Sequence, residues 1–117
     1  MTNEEMKTRT KAFALRILTM AGNLPPTTAS HILSKQLIRC ATSVGANYRA
    51  ACRAKSRPDF LAKMKICEEE ADETLYWLEL LTESGLIKKE RMESLYAESK
   101  ELTAIITAAC KTTRTSP

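Results

Sequence analysis

No aspartate or glutamate occurs between Met6 and Pro58, although that stretch carries Lys7, Arg9, Lys11, Arg16, Lys35, Arg39, Arg49, Arg53, Lys55 and Arg57. Glycine and proline are also scarce, at three and four in 117 residues, which excludes a loop-rich or collagen-like chain. No apolar run approaches the roughly 18 residues needed to span a bilayer. Cys40, Cys52, Cys67 and Cys110 form no CxxC pair. They read as reduced, core-lining thiols of a cytosolic protein rather than a disulfide framework or a zinc site.

Histidine is nearly absent, and this removes several chemistries. His31 is the only one, and Thr28 stands three residues before it. A di-iron carboxylate bundle requires Glu-x-x-His pairs on inward faces, so its ligand set is missing. A Cys-His nucleophilic pair would have to use His31, with no orienting acid nearby in sequence. The three glycines are isolated, so no phosphate loop exists. Glu4 and Glu5 ahead of a mixed segment are unlike the layout of a secretory signal. The expectations are a cytoplasmic, non-membrane protein that is no enzyme, with no cofactor and no metal.

What is present is a helical period. Apolar residues make up 44% of the chain and charged residues 27%, enough for one domain over residues 1–117 with a single core. Glycine and proline punctuate three breaks, at Asn23–Pro26, Lys55–Pro58 and Ser84–Gly85. Between them the stripes run Met6, Thr10, Phe13, Ile17, Met20, then Leu33, Leu37, Cys40, Val44, Asn47, Ala51. The third is Phe60, Met64, Cys67, Ala71, Thr74, Leu78, Leu81, and the fourth Met92, Leu95, Ser99, Leu102, Ile106, Ala109. This near-heptad spacing predicts helices at about 3–22, 28–54, 57–84 and 88–111, with residues 112–117 frayed. Caps are expected at Asn3, at Thr27 or Thr28 and at Ser56, with Gly85 closing the third helix. The fold class is all-α, an up-down-up-down antiparallel four-helix bundle.

Charge then separates the halves. Through Pro58 the balance is +8, and from Asp59 onward it is −4, with Glu68, Glu69, Glu70, Asp72 and Glu73 clustered. The basic half therefore meets either an external polyanion or acids of its own kind. At 100° per residue, Lys35, Arg39, Arg49 and Arg53 share one face of the second helix, and Lys55 and Arg57 extend it. The small residues Thr42, Gly45 and Ala46 between the two pairs would let a phosphate backbone or another helix approach closely. On the third helix, Ile66, Trp77 and Leu80 share a flank with Glu70 and Glu73 between them. Apolar side chains around two carboxylates suggest a subunit interface, with Arg49 or Asn47 as the expected partners of the acids.

Three stretches carry a resemblance. Leu33-Ser34-Lys35-Gln36-Leu37-Ile38-Arg39-Cys40-Ala41-Thr42-Ser43-Val44-Gly45-Ala46-Asn47-Tyr48-Arg49 resembles the pattern L-x-x-Q-L-x-R-S-x-x-S-I-x-A-N-Y-R. Ser56-Arg57-Pro58-Asp59-Phe60 and Glu70 through Leu81 resemble the later motifs of the same family. That family comprises bacterial four-helix-bundle proteins encoded in ribosomal RNA intervening sequences, related to accessory proteins of diversity-generating retroelements. Cys40 stands where serine is usual and Cys67 where alanine is usual. The resemblance implies a non-enzymatic homo-oligomer, with pentameric rings among its members, and RNA as the suspected ligand. Its retroelement relatives bind nucleic acid and a reverse transcriptase through a basic surface.

The leading reading is thus a homo-oligomeric scaffold, a pentamer, that binds structured RNA or other nucleic acid through Lys35, Arg39, Arg49, Arg53, Lys55 and Arg57. Its oligomer interface would be Ile66, Glu70, Glu73, Trp77 and Leu80. The alternative is a protein-interaction or structural module with no nucleic-acid ligand, a possible protein partner taking its place.

Overall fold

The computed structural model describes residues 1–115 and contains four α-helices: α1 (Asn3–Ala21), α2 (Thr28–Ala51), α3 (Arg57–Glu83) and α4 (Lys89–Thr115). Each starts or stops where local chemistry dictates. The Oγ1 of Thr2 accepts from the Glu5 amide at 3.0 Å, so Thr2 and not Asn3 caps α1. Asn3 has another task, since its Oδ1 accepts from the Tyr48 hydroxyl at 3.1 Å. Thr27 caps α2 and Ser56 caps α3, each through its hydroxyl. Gly85, at φ 81°, supplies the left-handed residue after α3, and Ile87 N–H reaches back to the Leu81 carbonyl at 3.1 Å.

Two predicted ends move. Helix α2 stops at Ala51 rather than near Ala54, because Arg53 and Ala54 N–H groups bond three residues back instead of four. Helix α4 continues to Thr115, one turn past the expected stop. Thr113 and Thr115 sit inside this last turn, each donating its hydroxyl to the carbonyl four residues earlier. The expected fraying at 116 and 117 lies outside the described residues.

The helices pack in chain order around one core: α1 on α2, α2 on α3, α3 on α4, with a thinner α1–α4 seam closing the bundle. The particle measures 49 × 21 × 20 Å, its long axis set by the helices. The stripes are buried as patterned except at their ends, where Met20, Leu33 and Phe60 are half-buried, and with two shifts. In α2 the core passes from Val44 to Tyr48 and Ala51, leaving Asn47 half-buried with its amide on Ser43. In α4 the last core residue is Cys110 rather than Ala109.

At Gly45, α2 lies directly against Thr10 of α1. A Cβ there would lie 3.2 Å from Thr10 Oγ1, which itself bonds the Met6 carbonyl. The small residue thus admits a helix of the same chain. Gly45→Leu should destabilise the chain by roughly 1–3 kcal/mol through overpacking, measured by urea unfolding.

The thin seam is clasped by charge. Arg9 donates Nε and Nη2 to the two oxygens of Glu98 at 2.8 and 2.7 Å, and Nη2 lies 2.9 Å from Glu101. The Arg9 hydrogen bond holds Glu98 below its ordinary value of 4.5, against a smaller opposing effect of burial. A carboxylate held low contributes stability above its unfolded pKa, lost as pH falls through the folded one. Native stability should therefore exceed that of Glu98→Gln by about 1 kcal/mol near pH 7, the two converging on acidification below about 4.5. Parallel urea series across pH would measure the difference.

Candidate functional site

The acidic flank of α3 borders α2 of its own bundle. Arg39 Nη1 lies 3.3 Å from Glu70 Oε2, and Nη2 bonds Glu73 Oε1. Trp77 Nε1 donates to that same Glu73 oxygen at 3.2 Å, one helical turn away. The two carboxylates are therefore satisfied within one chain, and their partner is Arg39 rather than Arg49 or Asn47. Geometry explains the difference. Arg49 sits ten residues further along α2, about 15 Å, and is turned about 80° from Arg39 toward α1. Asn47 is committed to Ser43. The hydrogen bond to Glu73, with its charge, raises the Arg39 pKa, so the guanidinium stays ionised.

Around this cluster the apolar side chains divide. Trp77 is half-buried against the core and meets the Tyr76 ring edge-on at 5.2 Å. Leu80 is half-buried, while Ile66 keeps 44% of its surface and Tyr76 54%. Ile32 of α2, 55% exposed, was missed by the sequence reading because it lies outside the quoted stripes.

The six basic residues separate likewise. Arg39 belongs to the seam just described. Lys35 is exposed toward the other end of α2, and Arg49, Arg53 and Lys55 are exposed where α2 ends. Arg57 is exposed as well, and its Nη2 donates to the Thr113 carbonyl of α4 at 3.3 Å. Because α4 runs on to Thr115, Lys111 and Arg114 join this same end of the bundle. Stopping α4 at about residue 111 in sequence hid Arg114.

Three acids at this end are matched, Asp59 with Lys63, Glu68 with Lys65 and Glu4 with Lys7, while Glu5 in the first turn of α1 forms no ion pair among the described residues. Arg49, Arg53, Lys55, Lys111 and Arg114 form no ion pair among the described residues. The result is a basic end spread over two helix termini and one turn.

Burial pushes the Cys67 thiol up to about 12 and also raises Cys40 and Cys110, so these three are protonated near neutrality. Among the described residues no group of three or more histidine, cysteine or acidic side chains is placed to hold a metal ion. Among the described residues no helix is long and apolar enough to cross a membrane.

A family described as 23S rRNA-intervening sequence protein matches residues 2–108, nearly the whole chain. The chain belongs to this family. It is also similar to a protein of unknown function from the S23 ribosomal protein family of Bacteroides thetaiotaomicron, whose crystal structure was solved at 1.70 Å. The two are 38% identical with a TM-score of 0.87, covering 95% of this chain and 99% of that one. No curated protein matches the chain.

In this member of the 23S rRNA-intervening sequence family, the motifs that carry the resemblance meet one another. Arg39 of the first pairs with Glu70 and Glu73 of the last, and the Thr74 hydroxyl lies 3.3 Å from Cys40 Sγ. Much of the motif pattern therefore records how α2 docks on α3.

Proposed function

We propose that this protein is a non-catalytic, homo-oligomeric scaffold whose basic end holds structured RNA by its phosphates. The observation that carries the reading is the set of cations at the α2 and α4 C-termini that form no ion pair among the described residues, while Asp59, Glu68 and Glu4 are taken by lysines. Membership of a family tied to ribosomal RNA intervening sequences supports RNA as the polyanion. Tyr48 and Phe60, the aromatic residues nearest these cations in sequence, pack on the core, so contacts would go to phosphate rather than to stacked bases, giving weak sequence selectivity.

Photocrosslinking to a structured RNA hairpin, followed by peptide mapping, tests the placement. Adducts should concentrate in residues 49–57 and 111–114. Adducts confined to the Lys35 end, or none, would refute the basic end as the site.

Assembly is proposed through the exposed α2–α3 face, where Ile32, Ile66 and Tyr76 flank the half-buried Trp77 and Leu80. Arg39 would neutralise Glu70 and Glu73 there, so the patch could leave water with its charges paired. A closed pentamer is the assembly that the family resemblance favours. One observation favours the second reading, a protein-interaction module without nucleic acid: Arg39, the most central of the six basic residues, is engaged by acids of its own chain. The retroelement kinship that the motifs suggest would make a reverse transcriptase a candidate partner on that reading.

A further inference from the structure

At the opposite end of the bundle, where α1 and α4 diverge, lies an open cavity of about 730 Å³. Its apolar floor is Met20, Leu24, Leu86, Ile87 and Leu95, which also pack on the core. Three cations stand among its lining residues, Arg16 from α1 with Lys88 and Arg91 from the start of α4, and no lining residue is acidic.

The walls are set by backbone hydrogen bonds. One turn is fixed by Gly85 and the Ile87 to Leu81 bond, and the other by Thr27 N–H on the Pro25 carbonyl at 2.8 Å. Arg16 reaches across the seam to donate to Ser94 Oγ at 2.9 Å, which holds its guanidinium at the cavity. The acid whose charge Arg16 meets from α4 is Glu98, and that carboxylate is taken by Arg9. Lys88 and Arg91 form no ion pair among the described residues.

We propose that this cavity binds a small anionic amphiphile, a carboxylate carrying an apolar body, with the chain on the leucine floor and the charge among Arg16, Lys88 and Arg91. Size and charge both select this occupant. The volume falls in the range of small-molecule sites, roughly 300–1,000 Å³, and the lining divides about evenly between its apolar floor and a polar part that includes the three cations. A neutral apolar ligand would leave three cations unanswered, and a cationic one would be repelled by them. The site lies apart from both the basic end and the α2–α3 face, so it stands independently of the RNA and assembly readings.

Titration of the ¹⁵N-labelled protein with decanoate, decyltrimethylammonium and sulfate, followed by amide shifts, tests the proposal. Decanoate should shift the amides of Leu24, Leu86, Ile87 and Lys88 saturably, with one site per chain and an apparent Kd below about 1 mM. Decyltrimethylammonium and sulfate should leave those amides in place over the same range. The double variant R16Q/R91Q should bind decanoate at least about tenfold more weakly while keeping its unfolding midpoint within a few degrees. Leu24→Asp gives a second check, removing binding by placing a negative charge on the floor. Equal response to both amphiphiles, no saturable decanoate response, or undiminished binding by R16Q/R91Q would overturn the proposal. Movement of the same amides on dilution without ligand would assign the cavity to a second copy of the chain and overturn it as well.

Discussion

Trp77→Ala should abolish the closed oligomer at protein concentrations where the native chain is assembled, while circular dichroism retains the helical signal. Trp77 is half-buried, so part of its ring packs on the core and part remains for a partner. Its loss should destabilise the folded chain by about 1–2 kcal/mol, below the roughly 3–5 kcal/mol of a fully buried aromatic. The assembly effect is expected to be larger, because aromatic anchors near the centre of an interface carry much of its energy. Light scattering beside urea unfolding separates the two. An unchanged mass with a loss of several kcal/mol would place Trp77 wholly inside its own bundle and move the interface elsewhere.

Neutralising Arg49, Arg53 and Lys55 to glutamine should weaken binding of every structured RNA by similar factors, on the order of tenfold or more at low salt. Three lost phosphate contacts should flatten the dependence of log affinity on log salt by roughly 2–3 units. Arg39→Gln is the informative contrast. Its guanidinium is held by Glu70 and Glu73, so this change should leave the salt slope within error and register instead in stability or assembly. A slope reduction from Arg39→Gln equal to that from Arg53→Gln would mean that the seam opens to receive phosphate. Assembly is followed in every variant, since loss of the oligomer would reduce binding without any phosphate contact being touched.

The helices were legible because period and punctuation agreed. Thr27, Ser56 and Gly85 act as their types suggest, and the stripes from Met6 to Ile17 and from Met64 to Leu81 are buried. What the pattern hid was lateral. Ile66, Glu70, Glu73, Trp77 and Leu80 share a flank in a helical projection, yet a projection of one helix does not say which neighbour borders it. Helix α2 borders it, and Arg39 answers the acids.

The same limit applies to Gly45, whose small size could have served a phosphate backbone and in fact admits Thr10 of α1. Asn47 looked coreward because the stripe was extended by regular spacing, whereas Tyr48 takes the core and Asn47 turns to Ser43. The end of α4 was misjudged on composition. Residues 112–115 are threonine-rich and polar, yet they continue the helix with their hydroxyls turned back onto its carbonyls, which brings Arg114 to the basic end beside Lys111.

A salt titration of RNA binding by the native protein, with oligomer mass recorded at each point, tests the central claim most directly. A structured RNA and a duplex DNA of equal length would be compared between low and physiological salt. The scaffold reading predicts log affinity falling linearly with log salt, at roughly 0.7–0.9 per phosphate contact and at least four contacts per chain engaged, with the mass unchanged throughout. Structured RNA that stays unbound at low salt while the protein remains assembled would contradict it, leaving the basic end without a polyanion and the chain as a protein-interaction module.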